Sequence, residues 1–164
     1  MNKSESIAEI AKALAAFQKQ VVQPEKSAKN PFFKSNYVPI EEVVKTINEF
    51  GPQNGLSFTQ WPVTGEVFVT TSTDKNGKET TTETRPTGVA TLLMHEGGEF
   101  IEYDPFFAKS DKDTAQGAGS VITYLRRYAL SAAYGLTSDE DDDGNNATGN
   151  GATNNKTQTK TDDF

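Results

Sequence analysis

The sequence predicts an α+β fold: a curved antiparallel sheet of three to four strands, crossed by a long C-terminal helix and preceded by two N-terminal helices. Two patterns predict it. Apolar residues recur three and four positions apart in residues 7–21, 40–47 and 113–134, whereas they alternate with polar residues across residues 56–103. Because a sheet must cover its apolar face, the long helix is the expected cover.

Two helices are predicted before the sheet. Apolar residues at helical spacing define the first: Ile7, Ile10, Leu14, Phe17 and Val21. Ser6 and Glu9 are spaced as a capping box at its start. The second helix begins after Pro39 and ends at Gly51-Pro52. Both are expected to be structural, packing in the core or between subunits.

Strands are predicted wherever apolar and polar residues alternate: Leu56–Trp61, Glu66–Thr73, Glu79–Arg85, Val89–His95 and Glu99–Tyr103. We expect the first two to pair as a hairpin through Pro62 to Gly65. Asn76-Gly77 is a strong hairpin signal, so the threonine-rich third strand should return beside the second as a projecting polar ribbon. His95 should flank the turn between the last two strands.

The long helix is predicted from about Asp113 to Tyr134, after a loop at 104–113 in which Ser110, Asp111 or Asp113 caps it. It would be about 33 Å long. One predicted face is apolar and should pack on the core: Ala118, Val121, Ile122, Leu125, Tyr128, Ala129 and Ala132. The other is predicted to be free for binding: Ser120, Thr123, Arg127, Ser131 and Tyr134. Arg126 and Arg127 point about 100° apart and should have different roles.

Composition narrows the class of protein. The chain has 164 residues and no cysteine, so disulfides and thiolate zinc sites are excluded. It has no apolar run typical of a signal peptide or a membrane span, and we expect an intracellular protein. The net charge of −7 is uneven, because residues 138–164 contribute −5 and the other 137 residues only −2. Overall acidity therefore does not exclude a nucleic-acid partner for residues 1–137.

Residues 138–164 differ from the rest of the chain. They are mostly Asn, Thr, Gly, Asp and Lys, a composition that cannot bury enough apolar surface to fold. We therefore predict a core domain at 1–137 and a disordered acidic tail at 138–164. Asp139, Asp141 and Asp143 match positions 1, 3 and 5 of a calcium loop, but position 12 is Asn150 instead of glutamate, so no metal site is expected.

Residues 24–39 interleave lysines with aromatic residues and lack helical or strand periodicity. Cations that bind phosphates beside rings that stack on bases are typical of single-stranded nucleic-acid binding. The alternative is a connector whose phenylalanines fill the core and whose lysines are solvated.

Enzyme motifs are absent from the sequence. It has no phosphate-binding loop of the G-x-x-x-x-G-K-[ST] type, no dinucleotide fingerprint, no H-E-x-x-H and no G-x-S-x-G. His95 is the only histidine, and Glu99 and Glu102 are interpreted as a solvated strand face. We expect a protein that is not an enzyme and needs no cofactor.

Several motifs in order resemble one family across about residues 6–144: I-A-E-I-A-K-A-L-A-A-F-Q, N-P-F-F-K-S-N-Y, G-L-S, M-H-E-G-G-E-F, Q-G-A-G-S-V-I-T-Y-L-R-R-Y-A-L and D-D-D-G. The chain resembles the ERF (essential recombination function) family of phage single-strand annealing proteins. The resemblance implies a ring-forming homo-oligomer in the cytoplasm of the infected bacterial host. It would bind single-stranded DNA and pair complementary strands in recombination without ATP.

With that resemblance, we predict a set of DNA-binding residues: Lys29, Phe33, Lys34, Tyr37, Ser120, Thr123, Tyr124, Arg126 and Arg127. The basic residues would neutralise phosphates and the aromatic residues would hold bases. Expected partners are single-stranded DNA, other copies of the chain, and a phage exonuclease or host single-strand-binding and replication proteins, with no membrane. The alternatives are a passive single-stranded DNA coat protein and an oligomeric virion structural protein.

Overall fold

The computed structural model describes residues 1–29, 36–110, 112 and 114–137. Three helices form where apolar residues recur at helical spacing, namely α1 (Ala8–Gln20), α2 (Ile40–Phe50) and α3 (Ala115–Tyr134). Eight strands accompany them: β1 (Asn2–Lys3), β2 (Ala28–Lys29), β3 (Asn36–Tyr37), β4 (Leu56–Thr64), β5 (Phe68–Thr73), β6 (Glu79–Thr84), β7 (Thr87–His95) and β8 (Phe100–Ala108). The predicted α+β class with two helices before the sheet and a long one after it is confirmed. The two-residue strands β1, β2 and β3 were not predicted.

The main sheet has four antiparallel strands in the order β1-β8-β7-β4. The prediction that residues 56–61 pair with residues 66–73 is wrong, because β4 pairs with β7 along its full length, from Leu56 opposite His95 to Thr64 opposite Thr87. Pro62 lies within β4 instead of ending it. Proline lacks an N–H donor, but an edge strand needs no donor on its open side.

A second sheet consists of β5 and β6 alone, joined by the predicted Asn76-Gly77 turn with Gly77 at φ +77°. We call these two strands the ribbon; all of their residues are exposed except Thr84, which is half-buried. The predicted loop after residue 103 is wrong, because β8 continues through Pro105 to Ala108. Within the described residues β1 covers only Ile101 and Glu102 of β8, so Pro105 also lies beside an open edge.

The core lies between the sheet and the helices, and α3 packs on β7 and β8. The predicted core face of α3 is confirmed at Leu125 and otherwise wrong: the buried residues are Leu125, Arg127, Leu130, Ser131, Ala133 and Tyr134, whereas Ala132 is exposed. Tyr134 decides the orientation, because its fully buried ring packs edge-on against Phe17 of α1 at 5.1 Å and Phe58 of β4 at 6.2 Å.

The helix caps differ from those predicted. Glu99, in the turn before β8, accepts hydrogen bonds from the backbone N–H groups of Glu9 and Ile10 and from the Ser6 hydroxyl, so it replaces the predicted capping box. The N–H of Ile10 is the main cause that lowers the pKa of Glu99. Glu99 is therefore not simply part of a solvated strand face. At α3 the Thr114 hydroxyl accepts from the Gly117 N–H, instead of any residue predicted to cap it.

The described residues offer neither a membrane-spanning helix nor a cluster of metal ligands. In the part of the chain that the structure describes, no helix is both long enough and apolar enough to cross a membrane. The same residues contain no group of three or more histidine or acidic side chains placed to hold a metal ion. The calcium-loop-like residues and the rest of the predicted acidic tail lie outside the described residues.

Candidate nucleic-acid interface

The structure brings Tyr37 and Val38, near the end of the lysine-rich segment, against the middle of α3. In that segment β2 and β3 pair as a short hairpin, with Ala28 opposite Tyr37 and Lys29 opposite Asn36. The next residue, Val38, is fully buried in the core, and this anchors the hairpin beside the helix. Two parts of the sequence about 90 residues apart therefore form one surface.

Arg127 lies at the centre of this contact and is only 8% exposed. Its guanidinium carbon is 4.4 Å from the ring centroid of Tyr37, 4.8 Å from that of Tyr128 and 5.6 Å from that of Tyr124. Its Nη1 donates a hydrogen bond of 3.4 Å to the carbonyl oxygen of Val38. A cation held against aromatic faces in a desolvated place is attracted to all of them. Arg127 therefore ties the hairpin to α3.

The three tyrosines around Arg127 differ in their exposure to solvent. Tyr124 and Tyr128, one helical turn apart, have ring centroids 4.5 Å apart. Tyr124 is 49% exposed, while Tyr37 and Tyr128 are half-buried. The cluster therefore presents the Tyr124 ring to solvent and keeps the charge of Arg127 behind it. This arrangement can stack a flat ligand from outside.

Arg126 points to a different neighbour, as its position one residue away requires. Its Nε donates to Oε1 of Gln60 on β4 at 3.3 Å, and Nε2 of Gln60 donates back to the Arg126 carbonyl at 3.3 Å and to the Thr91 hydroxyl at 3.0 Å. These bonds join α3, β4 and β7. Arg126 is half-buried, so of the two arginines it has more contact with solvent.

The outward face of α3 before Tyr124 consists of small and polar residues. Ser120 and Thr123 are exposed, and their hydroxyls donate back to the carbonyls of Gln116 and Gly119 at 3.0 Å. Gly119 is also exposed, and a Cβ there would touch nothing. Gly117 is different, because a Cβ there would collide with the Lys112 carbonyl and the Ser110 hydroxyl. Gly117 therefore packs against the preceding loop. Gly119 has no side chain and leaves the helix backbone open to close approach.

Of the predicted binding residues, the structure brings three into one cluster: Tyr37, Tyr124 and Arg127. Lys29 is exposed on β2 at the base of the hairpin. Phe33 and Lys34 lie outside the described residues. The prediction of a free face is confirmed at Ser120 and Thr123, which are exposed, and is wrong from Arg127 onward. The second half of the helix is packed there, because Arg127, Ser131 and Tyr134 are buried together with Leu130.

Sequence reasoning missed two members of the surface. Tyr128 was assigned to the core face, although its spacing of four residues from Tyr124 predicts neighbouring rings on a helix. Gln60 was read only as part of a strand, and nothing in the sequence relates it to Arg126, which lies 66 residues away. Such a contact depends on strand pairing and helix placement.

Comparison with known proteins gives one match. The model of a protein family described as the ERF superfamily matches residues 10–163, which is most of the chain. No curated protein and no solved structure gives a significant match.

Proposed function

Since the chain belongs to the ERF superfamily, we propose that it binds single-stranded DNA and anneals complementary strands in recombination without ATP. The observation that carries this proposal is the cluster of Tyr37, Tyr124 and Arg127, which joins the lysine-rich hairpin to the polar face of α3. Aromatic rings beside cations on an otherwise polar surface suit unstacked bases and phosphates.

In the proposed complex, Tyr124 and Tyr37 stack on bases, and the lysines at 29 and 34 neutralise phosphates. Ser120 and Thr123 turn hydroxyls toward the same surface, and Gly119 leaves room for the backbone of the strand to approach. Arg127 contributes from behind, holding the two tyrosines in place, because its guanidinium is buried among their rings. Arg126, which is more exposed, is the arginine better placed to meet a phosphate.

Annealing follows from how such a surface holds DNA. The aromatic rings stack on the flat faces of the bases, and the cations contact the phosphates. Both kinds of contact leave the hydrogen-bonding edges of the bases free. A second strand can then form base pairs with those edges. Where the two strands are complementary, the pairing and the stacking of the new base pairs stabilise the duplex. No bond is made or broken, so no nucleotide hydrolysis is required.

We further propose that the protein acts as a homo-oligomer, as the family resemblance implies, with the subunits arranged in a ring. One cluster can hold only a few nucleotides, whereas adjacent copies would align many along one strand and bind it by multivalency. Sedimentation velocity of the full chain tests this directly. A monomer at micromolar concentration with full annealing activity would contradict the oligomer proposal.

The decisive test pairs two complementary labelled oligonucleotides in the absence of ATP. An annealing protein accelerates pairing, a passive coat protein slows it, and a virion structural protein changes nothing. Tyr124→Phe and Tyr124→Ala form a matched pair, because phenylalanine keeps the stacking face and alanine removes it. We expect Tyr124→Phe to retain activity and Tyr124→Ala to bind single strands roughly tenfold more weakly.

We also propose that the acidic residues 138–164 either compete with DNA for the basic surface or recruit a phage exonuclease or host replication proteins. Their net charge of −5 supports an electrostatic role. Truncation after Thr137 separates the two ideas. Tighter DNA binding indicates competition, and loss of a partner in pull-down indicates recruitment.

A further inference from the structure

A cleft lies where the ribbon leaves the main sheet, away from the tyrosine cluster. It consists of two adjacent cavities of about 750 Å³ and 450 Å³ that share Thr84 and Lys109 in their walls. The walls come from the ribbon, from the end of β8 and from the start of α3. We call this the ribbon cleft.

Cations converge on the smaller cavity from three separate segments. Arg85 follows β6, Lys109 follows β8, and Lys112 precedes α3. None of the three takes part in an ion pair within the part of the chain that the structure describes. Among the described residues that line this cavity Glu83 is the acidic one, so three positive charges face one negative charge there. A pocket with unpaired cations of this kind suits an anion.

Aromatic rings lie in the larger cavity. Phe68 of the ribbon and Phe107 of β8 line the larger cavity and are 59% and 43% exposed. Strand pairing places Phe68, Thr70 and Ser72 on one face of the ribbon, opposite Thr84, Thr82 and Thr80. That face carries no charge. The cleft therefore combines flat apolar surfaces with hydroxyls and cations, and Glu66 is the acidic residue of the larger cavity.

We propose that the ribbon cleft is a second binding surface for single-stranded DNA, with Arg85, Lys109 and Lys112 on phosphates and Phe68 on a base. This inference rests on the proposed function and extends it. The two surfaces share helix α3, because Thr114 and Ala118 of α3 line the cleft and Tyr124 lies further along the same helix. Ala118 and Tyr124 are about 9 Å apart along the helix axis. Their side chains point about 120° apart around that axis, so a strand that reaches both places must pass around α3 as well as along it.

The charge pattern favours DNA over a second copy of the chain as the occupant. Interfaces between copies are depleted in charged residues at their centre, whereas unpaired cations beside exposed rings are typical of single-strand binding. Asp111 and Asp113 flank Lys112 in the sequence and lie outside the described residues. They offer a test of their own, since neutralising them should strengthen the binding of an anion.

The experiment measures the affinity of the full chain for a fluorescent oligothymidylate across a range of salt concentrations. Each phosphate contact that is lost lowers the slope of log affinity against log salt by about 0.7. We expect the triple variant Arg85→Ala/Lys109→Ala/Lys112→Ala to lower the slope by about 2. The matched control is Lys75→Ala/Lys78→Ala, which removes charge from the ribbon tip outside the cleft and should leave the slope nearly unchanged.

A second pair of variants tests the aromatic part. Phe68→Ala should weaken binding about tenfold, while Val69→Ala, on the opposite face of the ribbon and 63% exposed, should not. Asp111→Asn/Asp113→Asn should bind more tightly at low salt. Circular dichroism confirms that each variant is folded.

The outcomes separate this inference from the proposed function. If the wild-type chain does not bind single strands, the proposed function fails and the inference fails with it. If wild type binds but the triple variant keeps its salt slope and Phe68→Ala its affinity, only the ribbon cleft is wrong. If the triple variant instead dissociates the oligomer without changing the salt slope, the cleft is a contact between copies, and the inference is overturned.

Discussion

Replacing Arg127 by alanine should destabilise the fold and not merely weaken DNA binding. The side chain is 8% exposed and its guanidinium carbon is 4.4 Å from the centre of the Tyr37 ring. A desolvated cation–π contact contributes about 2 kcal/mol. The hydrogen bond to the Val38 carbonyl is long, at 3.4 Å, and adds about 0.5 to 1 kcal/mol. We therefore expect Arg127→Ala to lose about 2 to 3 kcal/mol of unfolding free energy.

Urea unfolding followed by circular dichroism measures this loss. With a slope of about 2 kcal/mol per molar urea, the midpoint should fall by about 1 M. Arg127→Lys should recover less than half of the loss, because an ammonium group has no planar face to lie against the rings. Arg126→Ala is the control at the neighbouring position, where a half-buried side chain donates one bond to Gln60, and it should lose about 1 kcal/mol or less.

DNA binding of the same variants, measured well below their unfolding midpoints, completes the test. If Arg127 supports the tyrosines, the lysine variant stays impaired in binding as well as in stability. The reasoning is refuted if Arg127→Ala unfolds at the wild-type urea concentration and the lysine variant restores DNA affinity. Arg127 would then be a phosphate ligand.

Three further predictions concern the scaffold. Gly119→Ala should raise the unfolding free energy by up to about 1 kcal/mol, because alanine favours helix and its Cβ touches nothing. Gly117→Ala should lower the melting temperature, because its Cβ meets the preceding loop. Equal melting temperatures for Gly117→Ala and the wild type would contradict that close contact. Tyr134→Phe should leave thermal stability unchanged or raise it by up to about 1 kcal/mol, since the buried hydroxyl has no partner among the described residues; a clear loss would reveal a bound water. The lowered pKa of Glu99 means that its stabilising effect is present above the ordinary glutamate pKa of about 4.3 and is lost as pH falls through the lowered value. Compared with the wild type, Glu99→Gln should therefore have a lower unfolding free energy at pH 7. Its unfolding free energy should also fall less between pH 7 and pH 3, because the variant has no carboxylate to protonate at this position.

The helices were the part of the fold that local patterns predicted best. The structure places α1 and α2 within a residue or so of the predicted bounds, because an amphipathic spacing of three and four residues needs no distant partner to be recognised. The five longer strands, β4 to β8, were also predicted, and the Asn76-Gly77 turn correctly joined β5 to β6. The pairing of β4 with β7 was not predicted, because it depends on which strand lies beside the edge of β4 once the ribbon projects from the sheet.

In the candidate site, too, some features were predicted from the sequence and others depended on the tertiary structure. Tyr37, Tyr124 and Arg127 were all predicted as binding residues from the sequence, and the structure places them together; their binding of DNA stays a prediction. The burial of Arg127 was not evident, because α3 has apolar or aromatic residues on both sides. The core selected the side that carries Leu130 and Tyr134, and Arg127 lies on that side.

By itself the sequence determined the α+β class, the positions of the helices and the uneven charge, since each is a property of local composition or spacing. The tertiary structure alone decided which face of α3 is buried, which strand pairs with β4, and that Glu99 caps α1 from 89 residues away. These choices depend on contacts between distant segments. Packing the large rings of Phe17, Phe58 and Tyr134 together leaves the helix one orientation, and that orientation turns Arg127 inward and Tyr124 out.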